Sequence, residues 1–256
     1  MTRVIAALDN SAAARPVLES ATAVARALGA AVEPVYVRVD GDRVARGATD
    51  AAGLELRTLA GRPVERLVSA ASEADVAFLV LGSRGRRTGV RPAGSTAMEV
   101  MTSLRKPVVV VPPDAEIRPA LRRVLVPLEG TPATSSAQAG PIELAADADV
   151  EVVLLHVFDE ESIPAFTDQP QHESAAWAHE FVARYCPRAR GDVRLELRVG
   201  VPSECIARAV DELDVDLIAL GWSQTLATGR APVVRELLER ARRPVLLVPL
   251  ADEGGE

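Results

Sequence analysis

LAGRPVERLVSAASEADVAFLVLGSRG, residues 59–85, returns as RVGVPSECIARAVDELDVDLIALGWSQ, residues 198–224, with Gly61 and Pro63 facing Gly200 and Pro202 at an offset of 139. Each version reads as a turn glycine, a helix opened by proline, and an aliphatic run closed by glycine. Proline suits the first helical turn, where its missing N–H is not needed. The run lacks polar alternation, which marks a strand covered on both faces. Outward from this pair, RVIAALDNS (residues 3–11) recurs as RVLVPLEGT (residues 123–131) at an offset of 120, and PVVVVP (residues 107–112) as PVLLVP (residues 244–249) at an offset of 137. Order, spacing and punctuation all repeat. The chain is therefore a duplication whose second copy carries about nineteen extra residues.

Within the first copy, aliphatic runs at 4–8, 32–37, 54–59, 76–81 and 108–111 alternate with helical patterns at 12–28, 63–72 and 96–104. Residues 38–53 show a weak pattern. Strand and helix in alternation predict an α/β fold, a doubly wound parallel five-stranded sheet in each copy. The expected boundaries are a first domain over 1–113, a linker over 114–120, a second domain over 121–250 and a tail over 251–256.

The 256 residues suit two domains, and 48% apolar with 25% charged residues is a globular composition. A formal charge of −7 repels phosphate backbones and anionic lipid, so neither nucleic acid nor membrane is an expected partner. Cys186 and Cys205 form no framework or metal spacing, no apolar run reaches bilayer length, and a secretory signal is not expected from the opening residues. A cytoplasmic location is the expectation.

Ligands of open α/β sheets bind beyond the carboxyl ends of strands, where strand order reverses. Three segments qualify in the first copy: Asp9-Asn10-Ser11 after the first strand, Gly82-Ser83-Arg84-Gly85 after the fourth, and Gly94-Ser95-Thr96 at the last helix. Glycines let backbone N–H groups approach a phosphate, and a helix N-terminus adds partial positive charge. Arg84 and its neighbours Arg86, Arg87 and Arg91 could add bidentate contacts. Asp9 could accept from ribose hydroxyls.

On these residues the chain resembles the universal stress protein family, whose adenine-nucleotide-binding members carry an Asp after strand one and the pattern G-x2-G-x9-G-[S/T]. The resemblance spans both copies. It implies a Rossmann-like strand order 3-2-1-4-5 and an intramolecular pseudo-dimer through the last strands. It implies further that Asp9 meets the nucleoside, that Val37 and Leu81 line the adenine pocket, and that Gly82, Gly85, Gly94 and Ser95 hold phosphates. The cofactor implied is ATP, or ADP or AMP, with Mg²⁺ accompanying ATP. One departure is visible: eight residues separate Gly85 from Gly94 where the pattern has nine, and Pro92 stiffens that loop. Weak binding with poor discrimination between ATP and ADP is expected.

The second copy departs further. Gln224 stands for Gly85, Ala231 and Pro232 for Gly94 and Ser95, and Glu129 for Asp9 with a side chain long enough to push into the nucleoside position. It reads as a copy that does not bind, or binds something else.

Each feature also has a plainer reading. Asp9-Asn10-Ser11 suits a helix N-cap, Thr96 with Glu99 a capping box, and the arginine run a solvated loop. Five of the eight aromatic residues lie between Phe158 and Tyr185. Residues 164–185 are expected to hold a helix beginning near Gln171, with Trp177, Phe181 and Tyr185 on its buried face. His172 and His179 lack a metal-ligand spacing, and His156 ends a strand. No nucleophile elbow, supported Ser-His-Asp set or P-loop lysine occurs, so no catalytic residue and no enzyme activity are expected, slow ATP hydrolysis resting on family analogy alone. The function expected is a stress-response protein that binds adenine nucleotide in its first domain and regulates an unidentified protein partner. The alternative is a nucleotide-independent scaffold of the same fold.

Overall fold

Ten strands pair into one sheet in the order β3-β2-β1-β4-β5-β10-β9-β6-β7-β8. The computed structural model describes residues 2–39, 47–83, 93–129, 132–158, 170–185, 193–226 and 231–250. In the first half the elements are β1 (Arg3–Leu8), α1 (Ala14–Ala27), β2 (Ala31–Arg38), α2 (Gly47–Ala52), β3 (Arg57–Ala60), α3 (Pro63–Ala71), β4 (Val76–Gly82), α4 (Ser95–Ser103) and β5 (Val108–Val111). The second half gives β6 (Arg123–Pro127), α5 (Pro132–Asp147), β7 (Glu151–Phe158), α6 (Pro170–Tyr185), β8 (Arg194–Val199), α7 (Pro202–Glu212), β9 (Leu217–Trp222), α8 (Pro232–Arg240) and β10 (Val245–Pro249). Each half has the expected order 3-2-1-4-5, and all pairings within a half are parallel.

The two five-stranded sheets are not separate. β5 and β10 pair antiparallel, with Val110 opposite Val245 and Val108 opposite Leu247, so the strand order reads alike from either edge. Each of these strands would otherwise be an apolar edge with unpaired backbone groups. Pairing them removes both edges, and Val108–Val111 and Val245–Val248 are all buried. Helices cover both faces. α3, α4, α7 and α8 pack on one core, and α1, α5 and α6 on the other, each core running through both halves. The linker is tied down: the Glu116 N–H donates to the Arg242 carbonyl at 3.1 Å, Arg26 reaches the Pro119 carbonyl at 2.8 Å, and Arg118 pairs with Asp214.

Two boundaries differ from the sequence expectation for a local reason. The third strand begins at Arg57, not 54, because α2 precedes it and must be ended first. Gly53, at φ +65°, allows the Leu54 N–H to close on the Thr49 carbonyl at 3.0 Å, the left-handed stop that glycine permits. α1 begins at Ala14 rather than 12, with Ala13 at the cap position and no side-chain cap.

At the amino ends of the first half's strands, Arg3 binds Glu33, Glu73 and Asp75, and this holds the Glu73 and Asp75 carboxyls below their usual range. That cluster lies at the far end of the sheet from the strand carboxyl ends.

α6 begins at Pro170, one residue before Gln171. Phe181 is buried, Trp177 is half-buried, and the Tyr185 side chain lies outside the described residues. Trp177 stacks on Phe181 at 5.0 Å between ring centroids and meets Phe158 at the same distance. His156 closes the cluster, its Nδ1 lying 2.8 Å from the Leu128 carbonyl, so it serves the core here. Phe181→Ala should lower stability by about 3 kcal/mol and Trp177→Ala by less, because cost follows the volume lost from a fully enclosed site. Urea unfolding checks the order of the two.

Candidate functional site

A cleft of about 320 Å³ opens at the carboxyl ends of β1, β2 and β4. Its walls bring together Asp9, Val37, Leu81, Gly82, Gly94 and Ser95, six of the eight residues expected from sequence. Arg84 and Gly85 lie outside the described residues, as do Arg86, Arg87, Arg91 and Pro92. The topology explains the convergence: β1 pairs with β2 on one side and β4 on the other, so the loops after all three meet where strand order turns.

Asp9 leaves β1 into a tight turn rather than capping a helix. Its Oδ1 accepts from the Ser11 N–H at 2.9 Å and from the Ser11 hydroxyl, while that hydroxyl accepts from the Ala13 N–H at 3.1 Å. The N-cap expectation is thus corrected: Asp9 and Ser11 hold a turn ahead of α1. A carboxylate offers about four acceptor positions, so Asp9 can still receive a ligand hydroxyl. Asn10 donates to the Tyr36 hydroxyl at 3.0 Å and braces the same wall. Val37 and Leu81 are buried and give the cleft an apolar floor, and Pro63 and Leu67 of α3 add to it.

The opposite end is the start of α4. Gly94 is its N-cap, extended at φ −63° and ψ 156°, with no side-chain cap. Thr96 is therefore the second helical residue and not a cap, which corrects the Thr96–Glu99 capping-box expectation. The first-turn N–H groups of Ser95, Thr96 and Ala97 have no carbonyl to reach inside the helix, and all three residues line the cleft. The Gly94 N–H differs, since it donates to the Ser83 carbonyl at 2.7 Å. That bond joins the two ends of the 84–92 segment and holds Gly94 beside β4, although the segment is a residue shorter than the family pattern.

Ser83 lies in a candidate segment but has no role of its own in the sequence reading. It is 0% exposed, its N–H donates to the Val111 carbonyl at 2.8 Å, and its hydroxyl has no hydrogen-bond partner. A buried hydroxyl without a partner is costly and points to a group that completes it. The signal was present in the comparison of the copies, for Ser83 aligns with Trp222, an exchange of a small polar for a large apolar side chain.

In the second half, Trp222 is 3% exposed and belongs to the same-face core as Leu220, Ile206 and Val234. The position held by a small, buried polar residue in the first half is filled with an indole. Glu129, the counterpart of Asp9, is solvent-exposed. Ala231 precedes α8 in the left-handed region at φ 45°, and Pro232 at the helix start has no N–H to offer a phosphate. Among the described residues no group of three or more His, Cys, Asp or Glu could hold a metal, and no helix is long and apolar enough to cross a membrane.

The model of the universal stress protein family matches residues 43–112 and again 120–249. Among solved structures, the chain is similar to a universal stress protein from Archaeoglobus fulgidus DSM 4304, at 16% identity over 96% of this chain and 98% of that one, with a TM-score of 0.68. It is also similar to a functionally unknown protein from Pseudomonas aeruginosa PAO1, at 13% identity over 98% of this chain and 94% of that one, with a TM-score of 0.67. At such identities these likenesses concern the fold. No curated protein matches the chain.

Proposed function

The chain belongs to the universal stress protein family, and from that premise we propose that its first domain binds one adenine nucleotide, the second binds none, and the nucleotide state governs a protein partner in a stress response. The observation that carries this reading is the cleft itself. An acceptor at Asp9, an apolar floor at Val37 and Leu81 and an uncapped helix start at Ser95 line one space, with Ser83 and its buried, unpartnered hydroxyl in the wall. An acceptor for ribose hydroxyls, an apolar floor for a base and free helix N–H groups for a phosphate are the groups an adenine nucleotide requires.

Base and ribose would lie toward Val37 and Asp9, and phosphate toward α4, where Mg²⁺ would travel with ATP rather than on protein ligands. With the Gly94 N–H already committed to Ser83, the helix start has fewer donors for an outermost phosphate. No residue in the cleft is assigned a catalytic role, so the protein is proposed as a binding module and not an enzyme. Titration with ATP and ADP in the presence of Mg²⁺ tests the reading: both should bind, with affinities within tenfold of each other, a difference below about 1.4 kcal/mol. Failure of both to bind would support the nucleotide-independent scaffold instead.

A further inference from the structure

We propose that Gln224, in the second domain, is a positioning residue for the phosphate-facing end of the first domain's cleft; the proposal rests on the nucleotide reading of that cleft. Gln224 follows β9 at the place where the first half has Gly85. Its side chain does not turn toward a ligand position in its own domain. It crosses the seam to the far end of α4, where Nε2 donates to the Leu104 carbonyl at 2.7 Å and the Met101 carbonyl at 3.2 Å, while Oε1 accepts from Arg105 at 3.2 Å.

α4 needs such a partner. It stops abruptly, with Leu104 extended at φ −82° and ψ 123°, and a helix end leaves its last carbonyls without intrahelical donors. Val100, Met101 and Leu104 anchor the helix sideways in the core, but apolar contact is non-directional. The three bonds to Gln224 fix the position of α4 along its axis and its rotation. Nine residues make a rod about 14 Å long, so what holds its carboxyl end also sets where the N–H groups of Ser95, Thr96 and Ala97 stand in the cleft.

The clamp runs one way. Gly85, the counterpart of Gln224, has no side chain and cannot make the reciprocal bonds to the end of α8. Gln224 sits at φ 56°, a conformation that glutamine disfavours and glycine accepts, so the position keeps a glycine-like backbone while carrying the side chain that reaches α4. The second domain's loss of a glycine motif thus becomes a contribution to the first domain's site.

The test is calorimetry on the full chain with Mg-ATP and, separately, adenosine, which lacks the group that would meet α4. Gln224→Ala removes the clamp, and Gln224→Glu keeps the chain length and the acceptor for Arg105 but has no donor for the two carbonyls. In both variants ATP affinity should fall by at least about fivefold while adenosine affinity stays unchanged, a coupling between separated positions. Phe181→Ala, remote from α4, should lose stability and keep the ratio of the two affinities. If Gln224→Ala proves too unstable to purify, Gln224→Glu reads the same ratio. An unchanged ratio in the Gln224 variants, with ATP still binding the wild type, overturns the positioning role alone. A wild type that prefers ATP no more than adenosine also overturns it, and one that binds neither overturns the reading of the cleft as well.

Discussion

Val110→Asp is expected to destabilise the chain by about 3 to 5 kcal/mol, the cost of an uncompensated buried charge. Val110 is fully buried in β5, between Leu81 of β4 and Val245 of β10, and both neighbours are buried aliphatic residues. A carboxylate there has no cation within the strand pairs to meet it, and protonation would relieve the charge only by leaving a polar group among methyls. The damage falls on the seam, because Val110 and Val245 form part of the contact that joins the halves. Val110→Ala is the control and should cost about 2 kcal/mol by loss of packing. Urea unfolding of the two variants measures the difference. Near-equal midpoints would mean that water reaches the seam and that the halves are joined more loosely than the shared cores indicate.

Ser83→Trp should abolish nucleotide binding, by at least about a hundredfold or 2.7 kcal/mol, with a smaller effect on stability. The substitution copies into the first half what the second half already has. Trp222 shows that the fold accepts an indole at the end of β9, where it is buried in the α7/α8 core. After β4 the same side chain would enter the cleft, which has about 320 Å³ of space. Overpacking costs of about 1 to 3 kcal/mol are the upper expectation for stability. Ser83→Ala separates the hydroxyl from the volume: it removes a partnerless buried group, so stability should hold or rise slightly, while a ligand that used the hydroxyl would bind less tightly. Isothermal titration alongside thermal unfolding reads both quantities for each variant. Full ATP affinity in a folded Ser83→Trp protein would place the ligand elsewhere.

How much of this was legible in the sequence follows from what repeats can and cannot carry. The paired aliphatic runs located the strands, and the apolar edges of 108–111 and 245–248 called for each other, since an unpaired edge of that kind is a liability in water. Asp9 and Gly82 were equally readable, because strand ends are fixed by topology; Val37 and Leu81 came from the family resemblance and Gly94 and Ser95 from the glycine pattern at a helix start, and all six reach one cleft. Helix starts were less readable. Asp9, Ser11 and Thr96 are all good capping residues, but a cap is defined by where the first helical residue falls, and Ala13 and Gly94 took those positions.

Direction was the least readable quantity. Gln224 aligns with a phosphate-site glycine and so marks the second copy as one that does not bind or binds something else, yet its side chain leaves its own domain for the end of α4. Nothing in a one-dimensional alignment tells which way a side chain in a loop will turn. The role of Ser83 was not legible for a related reason: serine beside glycine looks like ordinary loop composition, and only its complete burial with an unpartnered hydroxyl sets it apart.

Native mass spectrometry of the full chain, freshly purified and then incubated with ATP and Mg²⁺, counts the nucleotides bound per chain. The asymmetry between Ser83 and Trp222, and between Ser95 and Pro232, predicts a single added nucleotide mass per chain in the wild type and none in Ser83→Trp. Two added masses per chain, or a wild type that remains unshifted at millimolar ATP while retaining its fold, would contradict the account.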